Sequence, residues 1–277
     1  MRKGRVFSVV AVLALFLAIP GCRYQQAKSS WQEVLVRCGA GDVLEGGVFF
    51  GPSDQAGPGS IWRRTDVGTY RMRWSIVEAN RPGGALPVEP AGTAACKEPR
   101  FTLERLFPTQ LLMNPLQPMD AELEDALNKV DKVTVRVQGW AVDRLAENAF
   151  GGMLKELPAE SLLRKDLGRE AIMAQVSGVR VAGFAISLDF APADAERLRQ
   201  KYKDLSIRSG KAGASFSGKW TSPTVLELAA DKDIYIFGRL SQIASVSPEF
   251  KLLSPSVLNV FGPEYEDPSQ PIIGETK

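Results

Sequence analysis

Histidine is absent from all 277 residues. Its absence removes Ser-His-Asp and Cys-His catalysis, histidine-ligated zinc and a histidine proton switch together. Cysteine is scarce: Cys22, Cys38 and Cys96 are the only three, with no Cys-x-x-Cys spacing, which excludes a thiolate metal cluster and gives a redox pair no support. No apolar run reaches bilayer length. The run from Val6 to Ile19 holds fourteen residues, broken only by Ser8, where a spanning helix needs roughly 20. There is no G-x-S-x-G, no S-x-x-K at a helix start, no calcium-loop ligand set and no solenoid repeat. The chemistry left open is a Ser-Lys dyad, paired carboxylates or a carboxylate-held hard cation, and no cofactor is expected.

The amino terminus is more informative. Arg2, Lys3 and Arg5 form a basic n-region and Val6–Ile19 an h-region of signal-peptide length. The next four residues, Ile19-Pro20-Gly21-Cys22, resemble the lipobox of bacterial lipoproteins, in which an aliphatic residue, a small residue and a final Gly or Ala precede a cysteine that is acylated and becomes the new N-terminus. Pro20 departs from the usual small residue at the middle position. The resemblance covers residues 1–22 alone. It implies lipidation of Cys22, a membrane anchor and a place in the bacterial cell envelope, with Arg23 after the cysteine favouring the outer membrane. Each buried methylene of an acyl chain adds about 0.8 kcal/mol of membrane affinity, so several chains anchor firmly.

Removing residues 1–21 leaves 31 basic against 32 acidic residues in a 256-residue mature chain. A near-neutral exported protein has no global field for nucleic acid, and 44% hydrophobic content suffices for a sizeable core. With Cys22 acylated, Cys38 and Cys96 remain, and an even pair in an exported chain suggests a disulfide closing a loop of some 58 residues; two separate buried thiols are the alternative.

The pattern along the chain predicts an α+β protein. Residues 22–30 read as a polar tether and 31–107 as a β-rich, sandwich- or barrel-like domain in which "EVLVRC" and "DVLEGGVFF" are apolar strands. The proline-rich 108–119 is a linker, 120–246 a second domain of α+β or α/β type, and 247–277 a proline-rich arm. Within the second domain Asp120 is placed to cap a helix, "DRLAENAFGGMLKEL" sets Leu145, Ala149, Met153 and Leu157 on one face, and "PAESLLRKDL" reads as another helix or the continuation of that one after Pro158. A strand region turns or bends at Ser177-Gly178, and a helix from Pro192 buries Ala195, Leu198 and Tyr202. "TVLELAADKDIYIFGRL" reads as a hairpin turning at Asp231-Lys232-Asp233.

Gly213 and Gly218-Lys219 reproduce the spacing of a phosphate loop, but Trp220 stands where Ser or Thr must hold magnesium and no helix follows, so 207–224 reads as a mobile Gly-Ser loop. Ser215 and Ser217 near Lys211 and Lys219 would need a desolvated lysine to serve as nucleophile and base. Glu122, Glu124 and Asp125 fit a solvated helix start, Asp231 and Asp233 a turn, and Glu264, Glu266 and Asp267 a loose acidic tail.

The surface most suggestive of a partner is Trp62, Arg63 and Arg64 with Arg71 and Arg73. Alternation puts Tyr70, Met72 and Trp74 on one face and the arginines on the other, where they could meet an envelope protein or an anionic glycan or lipid with Trp62 as anchor. With no complete catalytic motif, the sequence favours a lipid-anchored, non-catalytic binding or assembly module. The rival readings are a histidine-free hydrolase of envelope polymer and a purely structural lipoprotein.

Overall fold

The computed structural model describes residues 20–41, 47–64, 70–75, 88–104, 106–113, 119–167, 172–202, 204–209, 213–246, 249–252 and 264–265. Along the chain these form α1 (Pro20–Arg37), β1 (Val48–Ser53), β2 (Ile61–Arg64), β3 (Tyr70–Trp74), β4 (Val88–Ala95) and β5 (Arg100–Leu103). Then come α2 (Thr109–Leu112), α3 (Ala121–Asn128), β6 (Val130–Arg136), β7 (Gly139–Leu145), α4 (Glu147–Glu156) and α5 (Leu162–Leu167). The remainder is β8 (Ile172–Ala182), β9 (Ala185–Phe190), α6 (Pro192–Lys201), β10 (Ser206–Arg208), β11 (Ser215–Trp220), β12 (Val225–Ala230), β13 (Ile234–Val246), β14 (Glu249–Leu252) and β15 (Glu264–Tyr265). The expected α+β class is what forms.

The first helix replaces the expected tether. Tyr24, Ala27, Trp31, Val34, Leu35 and Cys38 recur three, four or seven residues apart and are all buried, the stripe of an amphipathic helix. The polar residues between them hid this period, and "EVLVRC", expected as a strand, is the helix's last turns. Burying an aromatic the size of Trp31 removes on the order of 200 Å² from water and stabilises by roughly 5 kcal/mol.

Two sheets hold the strands. The first follows the order β1-β13-β8-β2-β3-β15, with β14 added to β13, β7 to β8, and β4 to β7. The second runs β10-β11-β12-β9-β6-β5 and is antiparallel throughout. The expected split into domains at 108–119 does not divide the sheets: β1, β2 and β3 pair into the sheet of β8 and β13, while β5 pairs with β6 in the other. The proposed hairpin at 231–233 is also not one. It carries the chain from β12 in the second sheet to β13 in the first. Residues 215–220, read as loop, form β11 between β10 and β12. Ser177-Gly178 lies inside β8, which stays one strand of 11 residues.

The main core lies between α1, the second sheet and one face of the first sheet, joining Trp31 and Leu35 to Val135, Ile186, Leu188 and Leu228 and to Phe49, Val181 and Phe237. Phe184 stacks at 4.7 Å on Trp31. It follows Gly183, whose φ of +61 suits the turn from β8 into β9. Asp120 accepts the Leu123 backbone N–H at 3.0 Å and so caps α3 as expected. Helix α6 buries Ala195 and Leu198, leaving Tyr202 half-buried. The buried stripe of α4 is Phe150 and Leu154 rather than the expected face, since Leu145 ends β7 and Ala149 is exposed.

Cys38 and Cys96 are bridged, tying the end of α1 to the stretch between β4 and β5. On the chain-entropy model a loop of 58 residues makes this bridge stabilising by about 4 kcal/mol. Cys38→Ser/Cys96→Ser should lower the free energy of unfolding by up to about 4 kcal/mol, read from denaturant titrations with the slope fitted for each protein, since the unbridged unfolded chain is more expanded. A loss under about 1 kcal/mol would show that the bridge adds little.

Candidate functional site

The strand pair expected to present a partner surface is rearranged by one residue. In the β2–β3 ladder Trp62 pairs Met72 and Ile61 pairs Trp74, which leaves Arg73 as the extra residue of a β-bulge. A bulge reverses the facing of whatever follows it. Met72 therefore packs with Trp62, Phe50 and Tyr70, whereas Trp74 joins Ile61 and Ile172 in a separate cluster under α4 and α5.

Arg73 turns inward. Its Nε donates to Asp166 of α5, and the Trp74 indole N–H donates to the same carboxylate oxygen at 3.0 Å. The two side chains are 3% and 4% exposed. Trp62 is fully buried and its N–H is bonded to the Ser60 hydroxyl at 2.8 Å, so it is a core residue and not a surface anchor. Of the five expected contact residues, Arg64 is exposed, and Arg63 and Arg71 are half-buried and directly opposite each other. Cys22 falls within α1.

Ser217 and Lys219 are exposed on β11, and the Ser217 hydroxyl donates to Asp231 at 2.6 Å. Lys219 thus lacks the desolvation a general-base lysine needs. Lys211, Glu266 and Asp267 lie outside the described residues. Among the described residues no three acids or cysteines gather as a metal site, and no helix is long and apolar enough to cross a membrane.

The geometry that can hold a ligand is on the first sheet. In register, Arg144 of β7 faces Ser177 of β8, which faces Arg239 of β13. One row further along, Val142, Val179 and Phe237 stand side by side. Side chains two residues apart share a face, so both rows line one surface. Part of that surface is covered by the main core and part by α4 and α5, and between these covers it opens into a cleft of ≈ 660 Å³. That volume falls within the usual range for small-molecule sites. The half-buried Trp140 and Val142 form an apolar wall, Arg144 and Arg239 are exposed at the rim, and Glu147 is the acid among the described lining residues.

The register that builds this surface depends on two further bulges. Ile236 is extra in β13 and Val176 is extra in β8. Without the first, Phe237 would point away from Val179; without the second, Ser177 would share a face with Gln175. Sequence reading missed the cleft because its two arginines belong to strands far apart in the chain. Period-two alternation can place Arg144 beside Val142, but nothing local pairs them with Arg239.

The opposite face of the same strands carries a closed charge network. Buried Asp143 accepts from Arg180 Nε at 2.7 Å and from the Tyr235 hydroxyl at 2.7 Å, and Arg180 Nη1 reaches Asp233 at 2.7 Å. Gly178 and Gly238 leave the room this needs: a Cβ on Gly238 would stand 2.3 Å from the Gln175 amide, and one on Gly178 would stand 2.8 Å from the Tyr235 ring. Burial, reinforced by the bond to Asp143, raises the Tyr235 phenol well above its ordinary range. Burial alone does the same to Tyr24, which donates to the Phe49 carbonyl at 3.0 Å.

Two outcomes follow from these contacts. Asp166→Ala should destabilise the fold by about 3–5 kcal/mol by leaving Arg73 buried without its carboxylate, while Arg73→Met/Asp166→Leu should recover most of that loss; chemical denaturation of the three proteins checks both. Tyr24 and Tyr235 have phenol pKa values raised in the folded state, so the stability they contribute is complete below pH 10, the unfolded value, and falls as pH rises above it. In a spectrophotometric titration at least two of the five tyrosines should ionise only together with alkaline unfolding.

No family model matches the chain, and no curated protein matches it. Among solved structures, a bacterial gasdermin from Bradyrhizobium tropiciagri is similar at 14% identity over 81% of this chain and 92% of its own, with a TM-score of 0.37. A score that low carries no argument about fold or function.

Proposed function

We propose that this protein is a lipid-anchored lipoprotein of the bacterial envelope, acylated at Cys22, which acts as a non-catalytic binding module. The observation that carries the reading is the continuous order of a basic n-region, a fourteen-residue h-region and Ile19-Pro20-Gly21-Cys22. Support for binding over catalysis comes from a cleft lined by arginines and apolar side chains, without a buried lysine or acid pair among its described lining residues. Its partner is an envelope protein or an anionic glycan or lipid, and residue Arg23 favours the outer membrane.

Tyr24 and Ala27 are buried in α1, so the folded body starts two residues beyond Cys22 and no free tether intervenes. An acyl group on Cys22 therefore holds the body against the bilayer surface, with its orientation restricted by the start of α1. In cells fed a clickable palmitate analogue, the wild-type chain should take up label, begin at Cys22 and float with membranes. Cys22→Ser should lose the label and N-terminal processing. An unlabelled wild type, or a mature protein beginning at another residue, overturns the proposal.

A further inference from the structure

We infer that the outer edge of β4 is the docking site for an extended segment of an envelope protein, which adds as a further strand and lays large apolar side chains over the edge into the cleft. The inference rests on the binding-module reading, with a protein as partner, and does not depend on acylation of Cys22.

Among the described strands β4 pairs with β7 alone, and seven of its eight residues are exposed. The other outer strands are covered or short: β1 is buried along its whole length, and β5, β10, β14 and β15 have four residues or fewer. The Cys96 N–H donates to the Gln138 carbonyl at 3.1 Å, on the β7 side. Alternation along the ladder then turns the N–H and C=O groups of Thr93 and Ala95 outward, toward an added strand. Pro90 and the bulge at Ala91 blunt the first half of β4, so docking is confined to Gly92–Ala95, a stretch without charge.

The side chains on the cleft face select the occupant. Gly92 stands opposite Val142, and Ala94 opposite Trp140, both partners half-buried. A Cβ on Gly92 would meet nothing within 4 Å, so the space above it is open. An added strand lies about 4.8 Å beyond β4, and its long side chains on that face pass over glycine and alanine to reach Val142 and Trp140. Backbone pairing supplies affinity, and the alternate apolar side chains supply specificity. A second copy docking through its own Gly92–Ala95 would bring only glycine, alanine and threonine to that space and leave it unfilled.

In the test, random peptides displayed on phage are selected on the purified full-length chain. Enriched peptides should carry large apolar residues two positions apart. Their affinity, read by fluorescence anisotropy, should fall about tenfold on Gly92→Phe, whose ring fills the open space, at an unchanged melting temperature. N-methylation scanned along one such peptide should weaken binding about tenfold at alternate amides and leave those between unaffected, since only every second amide faces β4. No enrichment, enriched peptides without alternation, binding indifferent to Gly92→Phe, or N-methylation effects that ignore parity overturns the inference. A wild-type dimer in native mass spectrometry that Thr93→Pro dissociates overturns it in favour of a second copy. None of these readouts involves lipid on Cys22, which the palmitate experiment reads separately.

Discussion

The antiparallel pairing of β8 with β13 is the constraint on which the structure depends. The two strands match over eight residue pairs, from Ile234–Val181 to Gln242–Met173. Every other strand of the first sheet reaches that pair directly or through a neighbour: β1 and β14 through β13, β7 and β2 through β8. Its two bulges change facing midway, so one length of β13 serves three environments. Tyr235 meets the charge network, Phe237 the main core, and Leu240 the cluster around Trp62. A straight ladder would put Tyr235 and Phe237 on the same face, and either the phenol would lose Asp143 or the phenyl would lose Phe49, which it meets at 5.2 Å.

Helix α1 is attached to this frame by three kinds of contact. Trp31 is stacked on Phe184, Tyr24 is hydrogen-bonded to the backbone of β1, and the helix's end is joined covalently to Cys96. The Trp140 indole also donates to the Cys38 carbonyl at 3.1 Å, so the bridge and the wall of the cleft share a residue's neighbourhood.

Charge is distributed unevenly between the inside and the outside of the first sheet. Arg73 with Asp166 is an internal pair, and the half-buried Arg180 meets the buried Asp143; in both, hydrogen bonds offset the desolvation of the buried carboxylate. They fix geometry: the first docks α5 on β3, and the second holds β7, β8 and β13 together across the face away from the cleft. The arginines of the cleft stand on the other face of those strands, exposed beside the part that the main core covers. The same residue type therefore has two uses here, and only the bulges and the row in which each stands separate them.

Several features were legible in the chain itself. Asp120 announced the start of α3, because a cap acts within three residues; Pro192 began α6; and the even pair of cysteines left beside Cys22 indicated the bridge. The residues of α1 were misread as tether and strand since Tyr24, Ala27 and Trp31 are diluted by polar neighbours, and their burial depends on sheets formed by residues far along the chain. The arginines at 71 and 73 alternated correctly with their aromatic neighbours, yet an extra residue opposite β2 sent Arg73 inward. By itself the sequence determined the absence of histidine chemistry, the signal-like start, the α+β composition and the local caps, all of which act over a few bonds. Tertiary structure alone decided which strands pair, where the bulges fall and hence which arginines meet Asp166, which meet Asp143 and which line the cleft, because facing in a sheet is set by a partner strand distant in sequence.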